Sequence, residues 1–415
     1  MFNTVTLSNG LQITMETIPF VRSISFGIWV RNGSRNENES NNGISHFIEH
    51  MLFKGTSNRT AKQIADEFDS FGGQLNAYTS KELTCYYARV LDTHFEQAFD
   101  VLADMFFNSN FSEDEINKEK NVILEEIDMT EDSPEDLVIE LLQYNAFAKN
   151  SLRYSILGTK ENVNSFDSKS FKDYFNSNYH PENTVIALAG NFDSNEALKY
   201  IEKYFGSFTR GGSYKSPEYC AEYTPCVIKK EKDIEQLHLC LGFPGLNIKN
   251  PDTYAMAALN TMFGGGMSSR LFQNIREKHG LVYSIYSYNA GFLDTGLFTI
   301  YAAMNPKQVN KAIELIWEEI NGLWVDKITK EFLDRTKEQL KSNFLLSLEN
   351  SSSRMSSIGR SQLMLNKITS PDEMIQKIDE IDVDKIYAVA ERIFKTKEAS
   401  ICVVGKTGDL NSVLQ

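Results

Sequence analysis

Two of the six histidines in this 415-residue chain flank a glutamate in His46-Phe47-Ile48-Glu49-His50. Ile44, Phe47, Ile48, Met51 and Leu52 recur at helical spacing around them, which predicts an amphipathic helix. At about 100° per residue from Ile44, His46, Glu49 and His50 fall near roughly 200°, 140° and 240°, opposite the apolar stripe. Two imidazoles one turn apart can meet one metal ion. A carboxylate between them can take a proton from an attacking water. Catalytic zinc usually has three protein ligands, so a third is expected from elsewhere. The predicted helix from Ile116 to Asp128 offers Glu119, Glu125 and Glu126. Glu125 falls opposite the stripe of Ile116, Ile123 and Ile127 and is expected to face solvent. Glu119 and Glu126 are about two turns apart, and both border that stripe. Spacing alone leaves these two open.

A scaffold must bring such groups together, and the chain reads as two similar halves. A strand pattern at Ser23–Val30 is matched by one at Leu237–Phe243. Helices follow at 43–53 and 252–263, then β stretches at Leu83–Leu91 and Leu281–Ala302. Long amphipathic helices come next, near 112–149 and 329–366. Each half closes on an apolar strand ending in glycine, Thr184–Gly190 and Ser400–Gly405. The expected fold class is α+β: two homologous domains, each a mostly antiparallel β-sheet packed with helices. The expected boundaries are 1–212, a turn-rich linker at 213–226, and 227–415. The helix near Asp252 to Phe263 holds no histidine, so only the first half carries the metal pattern. Gly264-Gly265-Gly266-Met267-Ser268-Ser269-Arg270 lacks the GK[ST] ending of a phosphate loop and reads as a loop with Ser268 or Ser269 capping a helix.

Composition excludes several classes. The hydrophobic fraction of 41% and charged fraction of 24% are those of a globular chain. A net charge of −14, from 42 basic and 56 acidic residues, disfavours nucleic acid and anionic membranes as partners. The five cysteines, Cys85, Cys220, Cys226, Cys240 and Cys402, form no CxxC, which argues against a thiolate zinc site or a disulfide framework. No apolar run approaches membrane-spanning length, and Met1–Val5 lacks the pattern of a signal peptide; the expectation is a cytoplasmic protein.

HxxEH is the inverted zincin signature. The longer stretch Gly43-Ile44-Ser45-His46-Phe47-Ile48-Glu49-His50-Met51-Leu52-Phe53-Lys54-Gly55-Thr56 resembles the M16 peptidase family, which includes the mitochondrial processing peptidase and pitrilysin, and the resemblance spans nearly the whole chain. It implies one Zn²⁺ per chain held by His46, His50 and Glu126. Glu126 lies 76 residues past His50, where the family has its third ligand. Glu49 is implied as the base. Glu119, seven residues before Glu126, matches the family's additional site carboxylate. Phe71-Gly72-Gly73-Gln74-Leu75-Asn76-Ala77-Tyr78-Thr79 resembles the substrate-facing edge strand, implying that Asn76 and Ala77 contact a peptide. Arg276 and Tyr283 match the family's substrate-contacting pair in the degenerate half. The implied activity is that of a zinc endopeptidase acting on peptides in an enclosed chamber. A non-catalytic partner subunit is the alternative. Larger family members close four such domains around a chamber. A two-domain chain is therefore expected to homodimerise, the runner-up being a heterodimer with a related chain.

Overall fold

The computed structural model describes residues 2–209 and 220–407. Strands β1 (Phe2–Thr6), β2 (Gln12–Thr17), β3 (Ser23–Val30), β4 (Gln74–Thr79), β5 (Thr84–Leu91) and β6 (Thr184–Gly190) form one sheet, in the order β1-β2-β6-β3-β5-β4. Strands β7 (Val227–Glu231), β8 (Leu237–Pro244), β9 (Val282–Gly291), β10 (Gly296–Met304) and β11 (Ser400–Gly405) form a second, ordered β7-β11-β8-β10-β9. Without β1, the two orders are identical. In each, the first strand of the half pairs parallel with the last, and the other neighbours are antiparallel. The sheets are therefore mixed by one parallel pair each. That pair is possible because a long helical stretch separates its strands, as a parallel crossover requires. The β stretch expected over Leu281–Ala302 is a hairpin, turning where the Phe292 amide donates to the Thr295 carbonyl (2.9 Å).

The compact units do not follow the sequence halves. One gathers the chain up to Ile127, the stretch from Tyr154 to Thr209, and Leu346–Thr369. The other gathers Asp128–Arg153, the stretch from Cys220 to Leu345, and the chain from Ser370 on. A division at 212 thus puts neither Asp128–Arg153 nor Leu346–Thr369 with the sheet it packs on. Residues 213–219 of the expected linker lie outside the described residues. The helical stretches expected near 112–149 and 329–366 are two helices each. Pro134, which has no N–H, opens Pro134–Ala146 behind the Ser133 cap. Asn350 caps Ser351–Leu365, accepting from the Ser352 amide (2.8 Å).

Within the first unit, Ile24, Phe26, Ile28 and Val30 of β3 face the main core. Ser25, Gly27 and Trp29 face the Ser351–Leu365 helix, with Ser25 bonded to Ser351 (2.9 Å). Covering on both faces explains why β3 lacks a polar face. The second unit repeats the arrangement. Leu237, Leu239, Leu241 and Phe243 of β8 face its main core, while Cys240 packs with Leu137, Leu142 and Phe147 of the Asp128–Arg153 segment. Gly242 admits that segment: a Cβ there would lie 2.8 Å from Leu142 Cδ1.

Helix Ile44–Leu52 carries the HxxEH residues. Its apolar residues are buried in the first core, Phe47 against Phe171 at 4.8 Å between ring centres. Its N-terminus is fixed by the buried Glu37 carboxylate, which accepts the amides of Gly43 and Ser45 (2.8 Å each) and the Asn42 side chain (2.9 Å). Burial raises this carboxyl, against the hydrogen bonds from Asn42, Gly43 and Ser45. Gly43 enters the helix at φ 100°, with Gly158 close enough to exclude a Cβ.

Candidate metal centre

His46 and His50 stand on one face of that helix, with ring centres 4.6 Å apart. Helix Glu113–Asp132 brings Glu126 to both: its Oε2 lies 3.7 Å from His46 Nε2 and 3.7 Å from His50 Nε2. One ligand atom from each of the three residues falls within 4.8 Å of the others, and no other such cluster occurs among the described residues. Two ligand atoms about 2.1 Å from a tetrahedral zinc ion stand roughly 3.4 Å apart. The 3.7 Å separations fit that geometry, and two imidazoles with one carboxylate are a donor set zinc accepts. Glu125 points to solvent, as its helical angle requires, while Glu119 is buried.

Burial and the neighbouring His50 push the His46 imidazole down to about 3, so it stays neutral with a lone pair for a cation. His50 differs. Burial lowers it, but the Glu119 hydrogen bond and the charges of Glu126 and Glu49 outweigh burial and raise it. His50 Nδ1 donates to Glu119 Oε1 at 2.8 Å, which leaves Nε2 directed at Glu126. Glu119 also accepts from the Lys54 ammonium, 2.6 Å from Oε2. Burial opposes ionisation of Glu119, but the bonds to His50 and Lys54 hold its carboxyl below the ordinary range.

Glu49 lies on the same helix face and is nearly buried. Burial raises its carboxyl, against a short hydrogen bond from the Thr79 hydroxyl to Oε2 (2.6 Å). Thr79 ends β4, the edge strand, so the sheet edge and the candidate base are directly joined. Asn76 and Ala77 lie on this strand, whose partner among the described residues is β5 alone. The Asn76 side chain accepts the Ala77 amide (2.8 Å). Arg276 and Tyr283 belong to the second unit. Both are exposed, Arg276 stacked on Phe272 at 4.6 Å, within the π-helical segment Phe272–Lys278. The Ser269 hydroxyl accepts the Phe272 amide at the start of this segment (3.4 Å). Thr79 and Lys54 are site residues that the sequence alone does not mark. Both lie inside the stretches 43–56 and 71–79, but nothing in their spacing marks a partner.

The histidine pair and Glu126 thus converge beside an edge strand, in an α+β chain whose second sheet repeats the first. The chain belongs to the M16 peptidase family. The family described as Insulinase (Peptidase family M16) matches residues 12–160, and the Peptidase M16 inactive domain matches 165–340. A Bacillus subtilis protein named "uncharacterized zinc protease YmxG" is 44% identical over 415 residues, covering 99% of this chain and 100% of that one. A Rickettsia bellii protein, also named an uncharacterized zinc protease, is 40% identical over 403 residues, covering 97% of each chain. Two solved structures share the fold. A protease from Helicobacter pylori superposes with a TM-score of 0.91 at 24% identity, over 98% of this chain and 99% of that chain. A peptidase M16 inactive domain from Pseudomonas fluorescens also has a TM-score of 0.91, at 19% identity over 98% of each.

Proposed function

We propose that the chain is a zinc-dependent endopeptidase binding one Zn²⁺ through His46, His50 and Glu126. The observation that carries this reading is the approach of one Glu126 oxygen to both imidazoles at 3.7 Å, beside the Thr79-bound Glu49. Zinc held there supplies polarisation of a peptide carbonyl and of the attacking water. Glu49 takes the proton of that water and returns it to the leaving amine. Glu119 holds His50 in the orientation a ligand needs. An extended peptide adds to the free edge of β4 through main-chain hydrogen bonds, displacing the Asn76 side chain from the Ala77 amide. Substrates on this reading are peptides or unfolded and targeting segments.

The chain works, on the same reading, as a homodimer in the cytoplasm, two chains closing one chamber. Arg276 and Tyr283 of one chain donate to substrate carbonyls at the other's site. Among the described residues, no helix is long and apolar enough to cross a membrane. A second reading, a non-catalytic partner subunit, draws on the inactive-domain description of residues 165–340. Peptide-library cleavage before and after chelation separates the two. Turnover lost with chelator and restored by zinc is expected. A folded, zinc-free chain with no turnover after zinc is added favours the partner subunit.

A further inference from the structure

Lys54 stands two residues beyond helix Ile44–Leu52, where its amide donates to the Met51 carbonyl (3.1 Å). Lysines past a helix end commonly interact with the last carbonyls or the dipole. Here the ammonium instead reaches Glu119 Oε2 at 2.6 Å, while Glu119 Oε1 takes the proton of His50 Nδ1 at 2.8 Å. The Glu119 side chain is 5% exposed and that of Lys54 is 30% exposed. A carboxylate so far out of water must be compensated by charge and by hydrogen bonds to both oxygens. His50 and Lys54 are the two donors, one to each oxygen. Together they fix the plane of the carboxylate; with His50 alone it can turn about its bond and lose the Nδ1 contact.

We propose that Lys54 is a positioning residue for the metal centre: it holds Glu119 where Glu119 can orient His50, and so sets how tightly the cluster retains zinc. This rests on the metal reading above. The sign of the effect discriminates. By charge alone, removing a cation near a Zn²⁺ site tightens metal binding. Loss of positioning weakens it.

The test is zinc affinity of the full chain, measured by competition with a chromogenic chelator. The set is wild type, Lys54→Met, Glu119→Gln and the double variant. Lys54→Met is expected to bind zinc about 10-fold more weakly, the low end of the cost of removing a group that supports a ligand. The double variant is expected to bind no more weakly than Glu119→Gln alone, because Lys54 acts through Glu119. The metal-free Lys54→Met chain is expected to melt below the wild-type temperature, because one oxygen of the buried Glu119 then lacks its donor, so zinc affinities are compared at a temperature where every metal-free chain in the set is folded. Should Lys54→Met not fold, Lys54→Gln carries the same comparison with the same expected weakening. Unchanged or tighter zinc binding in the lysine variant, or additive losses in the double variant, overturns the inference while leaving the metal reading in place. A wild-type chain that binds no zinc overturns both.

Discussion

At the scale of single residues, the centre is built from small differences in environment among similar side chains. Three glutamates lie on one helix within eight positions, yet Glu119 is buried on His50 and Lys54, Glu125 faces solvent and Glu126 meets both imidazoles. Glutamine keeps the shape of the side chain and removes its charge. Glu126→Gln is therefore expected to lose zinc, whereas Glu125→Gln retains about one zinc per chain, read by metal analysis after gel filtration. Equal retention in both variants would show that Glu126 is not the third ligand. His46, Glu49 and His50 are legible in sequence because they share one helix, where periodicity fixes their common face. The choice between Glu119 and Glu126 is not. Both flank the same apolar stripe, and which one reaches both imidazoles depends on how two helices pack. Thr79 and Lys54 are hidden for the same reason, their partners being distant in sequence.

At the scale of elements, each sheet is closed on its second face by a helix from the other half of the sequence. Amphipathic periodicity shows that Pro134–Ala146 and Ser351–Leu365 bury a face, but not which sheet meets it, so a linear division at 212 misplaces both. The strand order, by contrast, follows the sequence repeat closely, because each strand carries its own pattern. The Ser351–Leu365 contact is tight. A Cβ on Gly359 would lie 2.5 Å from Trp29 Nε1 and 2.9 Å from the Ala187 side chain. Gly359→Ala is expected to destabilise the protein by about 1–3 kcal/mol through overpacking, despite the better helix propensity of alanine. Chemical denaturation measures this. A stability equal to or above wild type would mean that the helix does not pack on this sheet as described.

At the scale of the whole molecule, among the described residues only the first unit carries the metal cluster, while the second repeats its sheet and displays Arg276 and Tyr283. The proposed homodimer makes a site from two chains, which complementation tests. A Glu49→Gln chain mixed with an Arg276→Ala chain is expected to recover activity on subunit exchange, because one site in the mixed dimer then has both residues. No recovery, with exchange verified by mass, would place the whole site within one chain. Peptide hydrolysis at a zinc site with Glu49 as the base is tested by peptide turnover and zinc content determined on the same preparation of Glu49→Gln. About one zinc per chain is expected, with turnover at least ~10²-fold below wild type, the contribution of a general base. Wild-type turnover in that zinc-loaded variant would contradict Glu49 as the base.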